Sequence, residues 1–201
     1  FSVIKRRSLP SAACVTWVGR SRPVTTRCKR GAGVRGLWAT AGGAAKAICS
    51  VLAYKGAKKI YIASRTLSRV EKLVHDINEN FRPIAEVIDM QDIKLLKDRI
   101  SVSDVIMNNT GLGMPHKLNK TPIPKEFLKP GQLCFDAIYN PSKTVFLREA
   151  EGVGCKTMNG LGMLLYQGAE QIRLWTGIKV PIEVMRKGLF SMMSHKDRKW
   201  L

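Results

Sequence analysis

The chain has 201 residues and 45% hydrophobic content, enough for one well-buried core with appendages. No apolar run approaches membrane-spanning length, and five cysteines without ligand spacing argue against a metal cluster and against a disulfide framework. The net charge of +19 would suit nucleic acid, but nine basic and no acidic residues crowd Phe1 to Leu37, the remaining charge is scattered, and no nucleic-acid motif is present; anionic small ligands fit better.

Residues 1–37 form a basic, Arg- and Ser-rich segment with no helical or strand period, expected to be disordered. Its composition is that of a transit peptide, and the competing reading, which we favour, is a stretch foreign to the fold. Gly31, Gly33 and Gly36 match a dinucleotide glycine motif by letter only, because the preceding Thr25 to Arg30 cannot be a buried strand. The folded domain is expected over 38–194, followed by a polar tail at 195–201. Val34 to Ala39 is a poor candidate for an apolar first strand, so the first strand is expected to be degraded.

The glycine loop that matters runs from Thr40 through Ala41, Gly42, Gly43 and Ala44 to Ala45. A helix over Ala44 to Tyr54 follows, with Ala44, Ala47, Ile48, Val51 and Leu52 on one face. Amides at such a helix start hold a pyrophosphate. Lys59 to Ala63 reads as the second strand. Where an NAD-binding fold carries an acid at this strand end, the chain has Ser64, Arg65 and Thr66, with Arg69 one helical turn on. A carboxylate repels a ribose 2′-phosphate and a guanidinium binds it, so these residues point to NADP.

Leu67 to Phe81 is an amphipathic helix, with His75 expected at its surface. Ala85 to Asp89, Ile93 to Ile100 and Asp104 to Asn109 continue as strand, helix, strand. Residues 116–130 form a basic loop with a short helical turn. Gln132 to Tyr139 then reads as a strand, Thr144 to Gly152 as a helix, Lys156 to Asn159 as a strand, Gly160 to Gly162 as a turn and Met163 to Trp175 as a helix. Pro181 to Met193 is a last amphipathic helix. Alternating strands and helices imply a parallel, doubly wound α/β sheet with helices on both faces. Ligands then sit outside the carboxyl ends of the strands, where Tyr139, Gly160, Met163 and Gln167 fall. Cys49 and Cys134 lie in a helix and a strand, which suits free thiols in a reducing cytoplasm.

Asp136, Tyr139, Pro141, Thr144 and Leu147, then Asn159, Gly160, Met163, Leu164, Gln167, Trp175, Thr176 and Gly177, resemble the late motifs of shikimate dehydrogenases. Asn108, Thr110, Gly113 and Met114 are similar to that family's N-x-T-x-x-G-M. Ser64, Arg65, Thr66 and Arg69 are similar to its N-R-T-x-x-R, with Ser64 for Asn. The glycine loop is similar to its G-A-G-G-A-A, with Thr40 for the first glycine. The resemblance spans Ala41 to Phe190 and implies a Rossmann-like domain. It implies NADPH-dependent reduction of 3-dehydroshikimate to shikimate, on the way to chorismate and the aromatic amino acids. Ala41, Gly42, Gly43, Ala44, Ser64, Arg65, Thr66, Arg69, Thr110, Ala137, Gly160 and Met163 would contact the cofactor, and Tyr139 and Gln167 the substrate. A homodimer is compatible with it.

In that family a Lys and an Asp of a preceding substrate domain handle the substrate's proton. Neither the N-V-T-x-P-x-K nor the N-T-D pattern occurs here, so no catalytic residue is assigned and the chain is read as the cofactor-binding half. A non-catalytic NADP-binding module and a quinate dehydrogenase are the alternatives. Lys125 follows the wrong strand to carry the catalytic role.

Overall fold

The computed structural model describes residues 34–39 and 42–191. Most of the basic segment, Thr40, Ala41, His195 and the polar tail lie outside the described residues.

Six parallel strands form one sheet in the order β3-β2-β1-β4-β5-β6. They are β1 (Arg35–Ala39), β2 (Lys59–Ser64), β3 (Ala85–Asp89), β4 (Val105–Asn108), β5 (Leu133–Asp136) and β6 (Lys156–Met158). The helices are α1 (Gly43–Tyr54), α2 (Leu67–Asn80), α3 (Ile93–Ser101), α4 (Val145–Val153), α5 (Leu161–Thr176) and α6 (Ile182–Ser191). Two 3₁₀ turns, Pro115–Lys117 and Lys125–Phe127, interrupt the loop between β4 and β5. The chain leaves β1 toward β2 on one side and later returns to place β4 on the other. The switch point therefore lies between β1 and β4.

Compact packing divides the described residues into two units. One runs to Leu161 and holds the whole sheet; the other begins at Gly162 and holds the rest of α5 with α6. In the first unit, side chains alternate across the sheet. Leu37, Tyr61, Ala63, Ile106 and Cys134 face a cluster with Leu96 and Ile100 of α3 and Phe146, Leu147 and Ala150 of α4. Val70, Leu73 and Ile77 of α2 are buried at helical spacing, as its amphipathic pattern requires. In the second unit, a Cβ on Gly168 would lie 3.5 Å from Met185 Cε, so α5 and α6 run close together there.

The first strand corrects the expectation drawn from Val34 to Ala39. Arg35–Ala39 pairs with β2 on one side and β4 on the other, at the centre of the sheet. Leu37 is 0% exposed. Arg35 sits at the strand's exposed start, where its N–H donates to Asp104 Oδ2 at 2.9 Å and its carbonyl accepts from Asp104 N–H at 2.8 Å. The sheet thus takes in Arg35, Gly36 and Leu37, which the sequence places in the basic segment. Gly36, the last glycine of the letter match, lies inside β1, whereas the motif needs a helix start there. A second difference is at Gly160 to Gly162. Here α5 begins at Leu161, whose N–H is held by Asn159 Oδ1 at 3.2 Å. His75 is exposed, and Cys49, Cys134 and Cys155 are buried free thiols. Burial pushes the Cys49 thiol up to about 12.

Gln132 clamps the amino end of the sheet. Buried just before β5, it donates from Nε2 to the carbonyls of Ile100 and Ser103, each at 2.8 Å, and accepts from Lys129 N–H at 2.7 Å. Replacing it with Ala leaves three backbone groups short of partners. Gln132→Ala is expected to cost about 2 kcal/mol in chemical denaturation. A loss below a few tenths would show that the clamp is dispensable.

Candidate functional site

The carboxyl ends of the strands gather most of the expected contacts. At the first, Gly42 is the N-cap of α1 and the ladder opens with Lys46 N–H to Gly42 O at 3.1 Å. The N–H groups of Gly43, Ala44 and Ala45 precede that ladder and point out of the helix start. Side-chain carbons built on Gly42 and Gly43 would meet nothing within 4 Å. The described residues thus leave room beside Gly42 and Gly43, which suits an anionic group against the helix end. Ala41, expected in the same cradle, lies outside the described residues.

At the end of β2, Ser64 folds the chain over. Its Oγ accepts from Thr66 N–H at 3.0 Å and donates to Thr66 O at 3.2 Å. Ser64 and Thr66 thereby shape the turn that presents Arg65. Arg65 and Arg69 are exposed, and neither has an ion-pair partner among the described residues. The carboxylate in register with Ser64 is Asp89 of β3, and it is turned onto its own loop, accepting from Gln91 N–H at 2.8 Å. Two guanidinium groups with no carboxylate pairing them is what a 2′-phosphate requires.

Between β4 and β5 lies a buried polar hub. Asn108 Nδ2 donates to Asp136 Oδ1 at 3.1 Å and to Leu112 O at 3.1 Å. Its Oδ1 accepts from Thr110 N–H at 2.9 Å and Thr110 Oγ1 at 2.7 Å. Thr110 Oγ1 in turn accepts from Leu112 N–H at 3.1 Å. Asp136 Oδ1 also accepts from Ile138 N–H at 3.0 Å, and Oδ2 from Thr144 Oγ1 at 2.7 Å. Thr144 then caps α4 by accepting from Leu147 N–H. Thr110, expected to touch the cofactor, is thus first a brace of the loop Asn109 to Met114. Burial raises the Asp136 carboxyl above its ordinary range, opposed by the hydrogen bonds from Thr144, Ile138 and Asn108. Gly113 has φ of 105° with Thr144 side-chain atoms 3.1–3.2 Å from where a Cβ would stand, so glycine is required on both counts.

Gly160, at the end of β6, is required by a different contact. A Cβ there would stand 2.0 Å from Ala137 O. Ala137 and Gly160, both expected at the cofactor, are therefore pressed backbone to backbone. Tyr139, two residues after Ala137, is 44% exposed at the same end of the sheet. Met163, half-buried, and Gln167, exposed, lie on α5 in the second unit. Lys125 lines a hollow with Glu126, Leu128, Arg148 and Val153, formed by its 3₁₀ turn and α4 rather than by strand ends.

Two features of this end are not legible from the motifs alone. The hub carboxylate Asp136 is a motif match, but nothing local marks it as buried. Asn109 carries no motif role; its Nδ2 and Oδ1 are buried and have no hydrogen-bond partner among the described residues. The only sequence signal is a polar residue at the unspecified position of N-x-T.

A family model for shikimate / quinate 5-dehydrogenase matches residues 33–120, and one for the shikimate 5′-dehydrogenase C-terminal domain matches residues 160–189. The chain belongs to the shikimate dehydrogenase family. It is 42% identical to the shikimate dehydrogenase (NADP(+)) of Desulforamulus reducens over 155 residues, covering 77% of this chain and 53% of the relative. Among solved structures, it is similar to shikimate 5-dehydrogenase from Listeria monocytogenes in complex with shikimate and NAD. That match has a TM-score of 0.74 at 37% identity, over 78% of this chain and 56% of the other. Quinate dehydrogenase from Corynebacterium glutamicum in complex with NAD matches with a TM-score of 0.72 at 28% identity, over 81% and 57%. The chain spans about half the length of the shikimate dehydrogenases it matches. Among the described residues no helix is long and apolar enough to cross a membrane, and no group of His, Cys, Asp or Glu could hold a metal ion.

Proposed function

We propose that this chain is the cofactor-binding half of an NADP-dependent shikimate dehydrogenase, which reduces 3-dehydroshikimate to shikimate. The observation that carries the reading is the end of β2, where Arg65 and Arg69 stand without a carboxylate partner among the described residues. The open cradle over Gly42 and Gly43 supports it, because it leaves room for a pyrophosphate on the amides of Gly43, Ala44 and Ala45. Ala41 would complete that cradle. Ser64 and Thr66 would present Arg65, while Thr110, Ala137, Gly160 and Met163 would line the nicotinamide side. When bound, the cofactor supplies the hydride. Tyr139 and Gln167 would orient the substrate, and this chain contributes no residue assigned to proton transfer. The buried free thiols suit a reducing, cytoplasmic setting.

The test is a titration of NADP⁺ and NAD⁺ against the chain and its Arg65→Ala variant. Wild type is expected to prefer NADP⁺. The variant loses one charge-assisted contact, on the order of 1.5–3 kcal/mol of NADP⁺ affinity, with NAD⁺ binding little changed. Equal NADP⁺ affinity in the two proteins would sink the assignment. A quinate substrate is the second reading, favoured by the likeness to the C. glutamicum enzyme. It predicts that quinate replaces shikimate when this half is joined to a substrate domain from the family.

A further inference from the structure

Helix α5 begins with its apolar stripe covered and ends with it bare. Leu165 and Ala169 are buried, and Ile172 continues their stripe at helical spacing, yet it is 37% exposed. Beyond it Leu174 is 55%, Trp175 79% and Ile178 65% exposed. Ile172 and Trp175 are neighbours on the helix surface, and Ile178 follows in the turn after it. Thr176 Oγ1 donates to Ile172 O at 2.8 Å and accepts from Ile178 N–H at 3.1 Å. Gly177 takes a φ of 72°, and its N–H donates to Arg173 O at 2.9 Å. The helix is closed by its own hydrogen bonds, so these side chains stand out from a defined end. One exposed apolar residue is ordinary; four between Ile172 and Ile178 make a patch.

Charge says what covers it. The chain carries +19, so two copies repel wherever their surfaces are basic. From Leu161 to Ile178 the charged residues are Glu170 and Arg173 alone, and they bind each other, Arg173 Nε donating to Glu170 Oε2 at 2.8 Å. An acidic partner is drawn to other faces, whereas a second copy of this chain meets least repulsion here. The area agrees. Trp175 exposes roughly 200 Å². Ile172, Leu174 and Ile178 add roughly 150 Å², at about 100 Å² for a whole aliphatic side chain. Each side of a standard interface contributes about 800 Å², of which about 450 Å² is apolar. The patch supplies most of that. We propose that the end of α5, from Ile172 to Ile178, is a self-association surface on which a second copy of this chain docks about a two-fold axis. Such an axis lets one patch cover its own copy and closes the assembly at two. The inference is independent of the cofactor reading, whose strand-end site does not include this helix end.

Sedimentation of the full chain from about 1 to 200 μM reads the association, and wild type is expected to dimerise with a Kd on the order of 10 μM, as suits a small interface. Trp175→Ala should weaken the dimer about 30-fold or more, the loss of an aromatic anchor. Ile178→Lys sets two like charges against each other and should weaken it similarly. Tyr54→Ser removes an exposed aromatic from α1 and should leave Kd within about twofold. The replaced side chains are exposed, so the melting temperatures of dilute protein should hold. Added salt should strengthen the dimer by screening two basic copies from each other. A wild type that stays monomeric throughout the range overturns the proposal, and a hydrophobic dye bound to that monomer at Trp175 would assign the patch to a different partner. A dimer unchanged in both Trp175→Ala and Ile178→Lys, a dimer weakened by salt, or a mass that climbs past the dimer also overturns it.

Discussion

Asp136→Ala is expected to destabilise the chain by on the order of 3–5 kcal/mol, because it strips three buried donors of one shared acceptor. Ile138 N–H and the Thr144 hydroxyl lose the partners they have, at 3.0 and 2.7 Å, and Asn108 Nδ2 keeps only Leu112 O. The damage spreads to the end of β5, the cap of α4 and the loop after β4, which the hub ties together. Asp136→Asn isolates the charge. Its amide oxygen can take the Asn108 and Ile138 donors while its NH₂ donates to Thr144, so a loss of only about 1 kcal/mol is expected. The pH dependence should differ as well. Burial raises the Asp136 pKa in the fold, so above its ordinary 3.8 the folded state holds a proton that the unfolded chain has released. Its contribution to stability is therefore full below that value and is lost as pH rises through the folded pKa. Asp136→Asn lacks this dependence, so its stability relative to wild type should improve with rising pH across that window. Urea unfolding of the three proteins at a series of pH values measures this. A relative stability that worsens with pH would mean that hydrogen bonding to the ionised form outweighs burial.

Gly160→Ala is the second large effect, expected near 3 kcal/mol, at the upper end of ordinary overpacking. The added carbon would stand 2.0 Å from Ala137 O and 2.6 Å from Ala137 C. Those are backbone atoms, and no rotamer change moves them. Nor can Ala137 withdraw freely, since its N–H donates to Asn108 O at 2.9 Å. The ends of β5 and β6 must therefore part, and NADP⁺ affinity should fall along with stability. Gly152→Ala is the matched control. It lies in α4 with open space around it, and the same substitution there should stabilise by about 0.5–1 kcal/mol through helix propensity. Thermal melts decide: similar effects at the two sites would show that the Ala137 contact relaxes at little cost.

The sequence by itself determined most of the architecture. The 3.6-residue period of Leu67–Asn80, the apolar runs of β2 to β5 and the glycines and prolines between them are local patterns. They sufficed for a parallel, doubly wound sheet and placed Ser64, Arg65 and Thr66 at a strand end. Three things only the tertiary structure decided. Arg35–Ala39 has a poor strand pattern, but β2 and β4 bond it from both sides, and residues 24 and 69 positions away supply that pairing. Asp136 is one acid among fifteen until Asn108, 28 residues earlier, donates to it in a dry interior. Asn109 and Gly160 depend on what surrounds them in space: an amide is orphaned, and a glycine is required, only with respect to neighbours that no local pattern contains. Periodicity encodes which face of an element is buried. It does not encode which distant backbone atom will press against that face, and the carboxyl ends of the strands are held together by such contacts.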